Sequence, residues 1–155
     1  MEWMRNIRVE SVRKLNPTPP RALDESATVA DAVEVLRAER VGCLLVTRKG
    51  ELTGIFTERD LLTRVLATAK PLTTKLANAM TRGPVAVAEN DPIRTAVVRM
   101  QSGGYRHLPV VDECNRPVGV LSAKRIVRYL VEHFPATVYN QPPDPQAYPS
   151  TREGA

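Results

Sequence analysis

The stretch Ala27-Thr-Val-Ala-Asp-Ala-Val-Glu-Val-Leu-Arg37 lies over Asp91-Pro-Ile-Arg-Thr-Ala-Val-Val-Arg-Met-Gln101 at an offset of 64 residues. Val29 meets Ile93, Ala32 meets Ala96 and Val33 meets Val97, and the same offset sets Leu44 and Val46 over Leu108 and Val110. One residue is then inserted, and Gly54-Ile-Phe-Thr-Glu-Arg-Asp-Leu-Leu62 lies over Gly119-Val-Leu-Ser-Ala-Lys-Arg-Ile-Val127. Self-similarity at a fixed period marks a duplicated structural unit, so the repeat decides the fold.

Both copies read alike, working outward from that match. A short strand comes first, Ala22-Leu23 or Val85–Val87. A helix follows; Val29, Ala32, Val33 and Leu36 recur at a spacing that puts them on one face. In the second copy Pro92 suits the helix start, where a missing N–H costs nothing. Gly103-Gly104 reads as the stop of that helix. Next come an apolar run (Val41–Val46 or His107–Val111), a turn (Arg48-Lys-Gly50 or Asp112–Arg116) and another strand (Leu52–Phe56 or Pro117–Leu121). Strands joined by so short a turn form a hairpin. A helix closes each unit, Glu58–Leu66 or Ala123–His133.

The expected architecture is therefore α/β (α+β): two tandem β-α-β-β-α repeats packed with pseudo-two-fold symmetry. A unit of this size buries too little surface to stand comfortably alone. Packing sheet against sheet would give the pair one shared core. The chain divides into an N-terminal segment (1–8), a first repeat (9–70), a second repeat (71–135) and a proline-rich tail (136–155) expected to be flexible or draped.

Composition excludes other classes. At 155 residues, 43% hydrophobic and 25% charged, the chain has the balance of an ordinary globular domain rather than a disordered one. The apolar run Val41–Val46 falls far short of the roughly 20 residues a membrane helix needs, so no membrane partner is expected. No apolar core follows Met1-Glu-Trp-Met-Arg-Asn6, which argues against a signal peptide and for a cytoplasmic location. Cys43 and Cys114 lack disulfide-framework or metal-ligand spacing, and with two histidines no metal site is expected. The net charge of +5 suits nucleic acid or a small phosphate ligand equally. Aromatics that would stack bases are scarce between residues 10 and 135 (Phe56, Tyr105, Tyr129 and Phe134), which argues against nucleic acid. No phosphate-cradling loop, nucleophile elbow or catalytic triad occurs, so no catalytic residue and no enzyme activity is expected.

The chemistry sits where the closing helices begin. Both copies run glycine, two apolar residues, a hydroxyl residue, two more, then a variable one: Gly54…Thr57…Asp60 and Gly119…Ser122…Arg125. Thr57-x-x-Asp60 reads as a capping box, in which the hydroxyl accepts from the third helical N–H and the acid reaches back. Ser122 can cap too, but Arg125 cannot accept the return bond and places positive charge at the positive helix end. That mismatch in a matched repeat gives the two copies different jobs.

The β-α-β-β-α repeat, the duplicated glycine–hydroxyl–acid motif and the strand Tyr105-Arg-His-Leu-Pro-Val-Val-Asp112 together resemble a tandem pair of CBS domains, also called a Bateman module, over roughly Val9 to Pro135. The resemblance implies two related clefts that bind adenosine-containing ligands: AMP, ADP, ATP or S-adenosylmethionine. The motif acid takes both ribose hydroxyls, the hydroxyl residue lies beside ribose and phosphate, apolar residues sandwich the base and basic residues meet the phosphates. Such modules are regulatory and pair as homodimers.

Carried onto this chain, the resemblance makes the Asp60 cleft the nucleotide site, with Thr57, Ile55 and Phe56 beside it. Repeat two would complete it with Thr81, Arg82, Pro84, Val85, Arg106, His107 and Pro109. Each also has a plainer reading: Arg82 and Arg106 as solvated surface, His107 as a structural histidine, Phe56 as core. The Ser122/Arg125 cleft departs from the pattern, because a guanidinium has no acceptor for a ribose. The expectation is a ligand-sensing module with one adenine nucleotide per chain as regulatory ligand, no obligatory cofactor, and S-adenosylmethionine disfavoured by the arginines. A chain of this length leaves no room for a catalytic domain, so output through an effector protein is expected. The competing expectation is a ligand-independent dimerisation protein that recruits a partner through its surface or its proline-rich tail.

Overall fold

The apolar runs become strands β2 (Cys43–Arg48) and β6 (His107–Val111). Cys43, Leu44, Leu45 and Val46 are consecutively buried, the signature of a strand covered on both faces. Leu44 and Val46 point to the helices of their own unit, where they pack with Val29, Ala32, Leu36, Phe56 and Val65. Cys43 and Leu45 point the other way and meet Leu52 and Val120, with Ile55, Ala86 and Val111 at the margin. That second cluster draws on both repeats and is the seam between their sheets.

The computed structural model describes residues 1–134; the expectations for the tail 136–155 lie outside the described residues. The first sheet has the order β1 (Ala22–Asp24), β2, β3 (Glu51–Thr57), β4 (Thr81–Arg82). The second has the order β5 (Val87–Ala88), β6, β7 (Pro117–Ser122). In each, the first strand runs parallel to the second (β1 to β2, β5 to β6) and the hairpin partner antiparallel, and β4 joins β3 antiparallel.

Helix α1 (Glu2–Val9) precedes the repeats and packs on α4 (Ile93–Gly103). Helix α2 (Val29–Glu39) starts from a Thr28/Asp31 capping box and ends at Arg40 with φ 52°. Its counterpart α4 has Pro92 at the N-cap and ends at Gly104 with φ 67°. Arg40 and Gly104 are related by the repeat offset, so both helices stop with a left-handed residue at the same place. Helix α3 (Glu58–Asp60) continues as a π-helical stretch (Leu61–Leu66), where the sequence pattern predicts plain α-helix. Helix α5 (Ala123–His133) has the predicted bounds.

Each unit is completed by a segment the sequence places beside the other. The 3-10 turn Val12–Leu15 buries Val12 and Leu15 in the core of the second unit, with Val87, Ile93, Leu108 and Leu121. The 3-10 turn Leu76–Asn78 buries Leu76 in the first unit's core, together with Ala79 and Met80. The hydrogen bonds obey the repeat. Val12 N–H donates to Asp91 O at 2.8 Å, and its equivalent Leu76 N–H donates to Ala27 O at 2.8 Å. Ile93 N–H donates to Glu10 O, and Val29 N–H to Thr74 O. The bridge Ser11–Pro92 has its mate in Thr28–Lys75.

This exchange explains the motif glycines. A Cβ on Gly54 would fall on Sδ of Met80 and lie 3.1 Å from Thr81 O. A Cβ on Gly119 would lie 2.8 Å from Pro17 Cβ and 3.3 Å from Thr18 O. Each glycine lets the incoming segment lie flat on the hairpin.

Candidate functional site

Strand β3 alternates its side chains, so Ile55 and Thr57 share one face and Phe56 takes the other. Ile55 and Thr57 form one wall of a groove of about 610 Å³ between the repeats. Arg59 and Asp60 close it at the start of α3, Thr81 to Val85 form the opposite lip, and Gly104 to His107 with Pro109 complete it from the second unit. Ten of the eleven residues read from the sequence as one site therefore meet around one opening.

Phe56 is the correction. It is fully buried among Val29, Leu44, Val46 and Val65, on the helix side of the sheet, and does not line the groove. The period-two alternation that sends Ile55 toward the opening sends Phe56 into the core. Sequence reading missed four lining residues, Arg59, Gly83, Gly104 and Tyr105. Arg59 is the motif position before Asp60, and Gly104 and Tyr105 directly precede Arg106. Gly83 has φ +55°, the left-handed turn that lifts the Thr81–Val85 lip around the opening.

Asp60 is the buried acid at the groove, 6% exposed. Its carboxylate completes the predicted capping box: Thr57 N–H donates to Oδ2 at 2.9 Å, while Asp60 N–H donates to Thr57 Oγ1 at 3.2 Å. The same box at Thr28/Asp31 leaves Asp31 exposed, so capping alone does not require burial. Asp60 does more than cap. Thr57 Oγ1 donates to Oδ2 at 3.0 Å, Thr81 Oγ1 donates to Oδ1 at 2.9 Å across the lip, and Arg64 Nε lies 3.1 Å from Oδ1. The acid thus ties helix start, β4 and groove together.

The rest of the wall divides by chemistry. Ile55, Pro84, Val85, Tyr105 and Pro109 give apolar surface, and Arg59, Arg82, Arg106 and His107 give cationic or donor groups. Arg82 is partly engaged, since Nη2 donates to Ala77 O at 2.6 Å. Among the described residues Arg59 and Arg106 make no ion pair. Burial, helped by the neighbouring Arg106 guanidinium, holds the His107 imidazole below its ordinary value. Among the described residues no cluster of side chains could hold a metal ion, and no helix is long and apolar enough to cross a membrane.

The pseudo-symmetric position has lost the acid of this arrangement. Ser122 caps α5 by accepting from Arg125 N–H at 3.1 Å, with no reciprocal bond. The counterpart of Thr81 is Thr18: Thr81 pairs with Ile55 and Thr18 with Val120, and the Thr18 hydroxyl, lacking an acid to meet, donates to Val120 O at 3.1 Å. The hydroxyl residue is kept and the acid is replaced.

Two β-α-β-β-α units exchanging their lead segments around an inter-repeat groove define a tandem-repeat α+β module. The CBS domain model matches residues 12–67 and 76–132, and the chain belongs to the CBS domain family. A CBS domain-containing protein of Arabidopsis thaliana is 38% identical over 104 residues, which is 66% of this chain and 19% of the relative. The chain thus spans about a fifth of that curated relative. An uncharacterised 17.7 kDa protein of Acidianus ambivalens is 25% identical over 122 residues, covering 78% of this chain and 73% of the relative. Among solved structures, a CBS domain protein from Pyrobaculum aerophilum, complexed with AMP, aligns at TM-score 0.70 and 27% identity over 79% of this chain and 99% of its own.

Proposed function

We propose that this chain is a non-catalytic regulatory module that binds one phosphorylated adenine nucleoside, of the AMP, ADP or ATP class, in the Asp60 groove. The observation that carries the reading is the convergence of a buried carboxylate, an apolar wall and arginines from both repeats on one opening. Asp60 and Thr57 suit the ribose hydroxyls, Ile55, Val85 and Pro109 suit the base, and Arg59, Arg106 and His107 suit phosphate. Arginine forks onto phosphate oxygens, which favours nucleotides over S-adenosylmethionine. The AMP complex of the Pyrobaculum relative supports an adenine ligand. The Arg125 side has no acid to accept ribose hydroxyls, so binding saturates at one nucleotide per chain.

The ligand acts by contacting both repeats and favouring one arrangement of them. It shifts that equilibrium only by its difference in affinity for the two arrangements. The module works in the cytoplasm as a homodimer that passes its state to an effector protein. The more than half-exposed Leu62, Leu66 and Val127 on outward helix faces support pairing.

One observation favours a second reading, a ligand-independent dimerisation protein: the Asp60 carboxylate is already engaged from within the chain by three hydrogen bonds and the Arg64 ion pair. Thermal unfolding with AMP, ATP and S-adenosylmethionine separates the two. A ligand at a hundred times its Kd adds about 2.7 kcal/mol of stability. Asp60→Asn keeps the side chain's size but gives up an acceptor oxygen, and is expected to weaken binding about tenfold or more. Absence of any shift with all three ligands would leave only the second reading.

A further inference from the structure

We propose that Arg64 competes with the ligand for Asp60 and thereby sets the affinity of the groove for ribose hydroxyls. The inference rests on the reading of the groove as a nucleoside site. A carboxylate offers about four lone-pair positions. Three take hydrogen bonds, Oδ2 from the Thr57 amide and hydroxyl and Oδ1 from the Thr81 hydroxyl at 2.9 Å, and the remaining side of Oδ1 is faced by the ion-paired Arg64, whose Nε lies 3.1 Å away. Two ribose hydroxyls bring two further donors, so Arg64 and one present donor have to give way.

The donors differ in what leaving involves. The Thr57 amide is fixed at the first turn of α3 and cannot withdraw without unwinding it. The two hydroxyls can only turn about their C–O bonds, since Thr57 also accepts from Asp60 N–H and Thr81 is paired in β4. Arg64 is different. It sits one helical turn beyond Asp60 on the π-helical stretch, and its side chain is 50% exposed against 8% for Asp60. Once released, its guanidinium meets water, so it is the group that yields first. A rotated hydroxyl then frees the second position. Arg64 lies outside the groove lining and touches it only through the acid, so it acts as a positioning residue.

The probe is adenosine, which has the two hydroxyls and no phosphate, so that loss of a positive charge does not confound the reading. Arg64→Met removes the paired charge and keeps the stem; Arg64→Lys keeps a cation within reach. Calorimetry is expected to show Arg64→Met binding adenosine about two- to fivefold more tightly than the wild type, the scale of a partly exposed ion pair. Arg64→Lys is expected to stay near the wild type. Raising the salt should tighten wild-type binding toward the Met variant, because salt screens the competing pair. Equal or weaker binding by Arg64→Met, or equal tightening by both variants, overturns the proposal. If no form binds adenosine while AMP still stabilises the protein, this inference alone fails. If AMP also fails, the nucleotide reading falls with it.

Discussion

Thr81 Oγ1 donates to Asp60 Oδ1 at 2.9 Å, joining a strand of the exchanged segment to the helix that opens the groove. The bond spans 21 residues of sequence and is the tie between groove lip and groove floor. Thr81→Val keeps the shape of the side chain and deletes the donor. Hydrogen bonds to charged acceptors are worth about 1.5–3 kcal/mol, and partial exposure places this one at the low end. Chemical denaturation is expected to show a loss of about 1–2 kcal/mol without change in m-value. An unchanged midpoint would mean that water replaces the hydroxyl at no cost.

The two motif glycines should differ in tolerance. Gly54→Ala meets chiefly the flexible end of Met80, which can swing aside. Gly119→Ala meets the ring of Pro17 and the Thr18 carbonyl, neither of which can. Overpacking costs about 1–3 kcal/mol, so Gly119→Ala is expected toward the top of that range and Gly54→Ala toward the bottom. Thermal melts of the two variants check the order.

Phe56 separates core from site. Phe56→Ala is expected to destabilise the protein by about 3–5 kcal/mol, because it leaves a void among Val29, Leu44, Val46 and Val65. Whatever fraction stays folded should bind nucleotide with near-native affinity. A folded Phe56→Ala protein with selectively lost binding would place the ring in the groove after all.

His107 gives the protein a signed pH response. Its folded-state imidazole is held below its ordinary value, first by burial and then by Arg106. Above the ordinary value of about 6.5 the ring is neutral in both states and contributes nothing. As the pH falls below that value the unfolded chain takes up the proton first, so stability drops until the folded imidazole protonates too. Urea unfolding between pH 7 and about pH 5 is expected to show a steeper loss for the wild type than for His107→Gln. Parallel curves would contradict the assignment.

The two thiols should be distinguishable by alkylation. Burial pushes Cys43 up to about 11, while Cys114 is exposed in the β6–β7 turn. Mass spectrometry after brief treatment of the native protein with iodoacetamide is expected to find Cys114 modified and Cys43 intact. Denaturation should make both react. Equal native rates would show that the sheet–sheet seam opens readily.

What the sequence made legible was local. Val29, Ala32 and Leu36 announce α2, and the motif from Gly54 to Asp60 announces the helix start with its capping box. Ile55 could be placed on the groove face from alternation alone, and the same rule applied to Phe56 would have sent it to the core. What stayed illegible was non-local. Nothing in Val12–Leu15 reveals that its partners are Val87 and Leu121 rather than Leu44, because the segment's own periodicity is the same in either core. The bond from Thr81 to Asp60 is hidden for the same reason, and Arg64 only gains meaning once Asp60 is seen to be buried.

The exchanged lead segments impose an order on biosynthesis. Once Arg82 has left the ribosome the first unit has every strand of its sheet, whereas the core that Val12 and Leu15 join is supplied by residues from Val87 to Ile126 and is completed only after β7 and α5. A nascent chain therefore carries a completed half with an unpaired apolar leader ahead of it. Thr18, which bridges to Val120, closes that leader into place only after β7 has emerged.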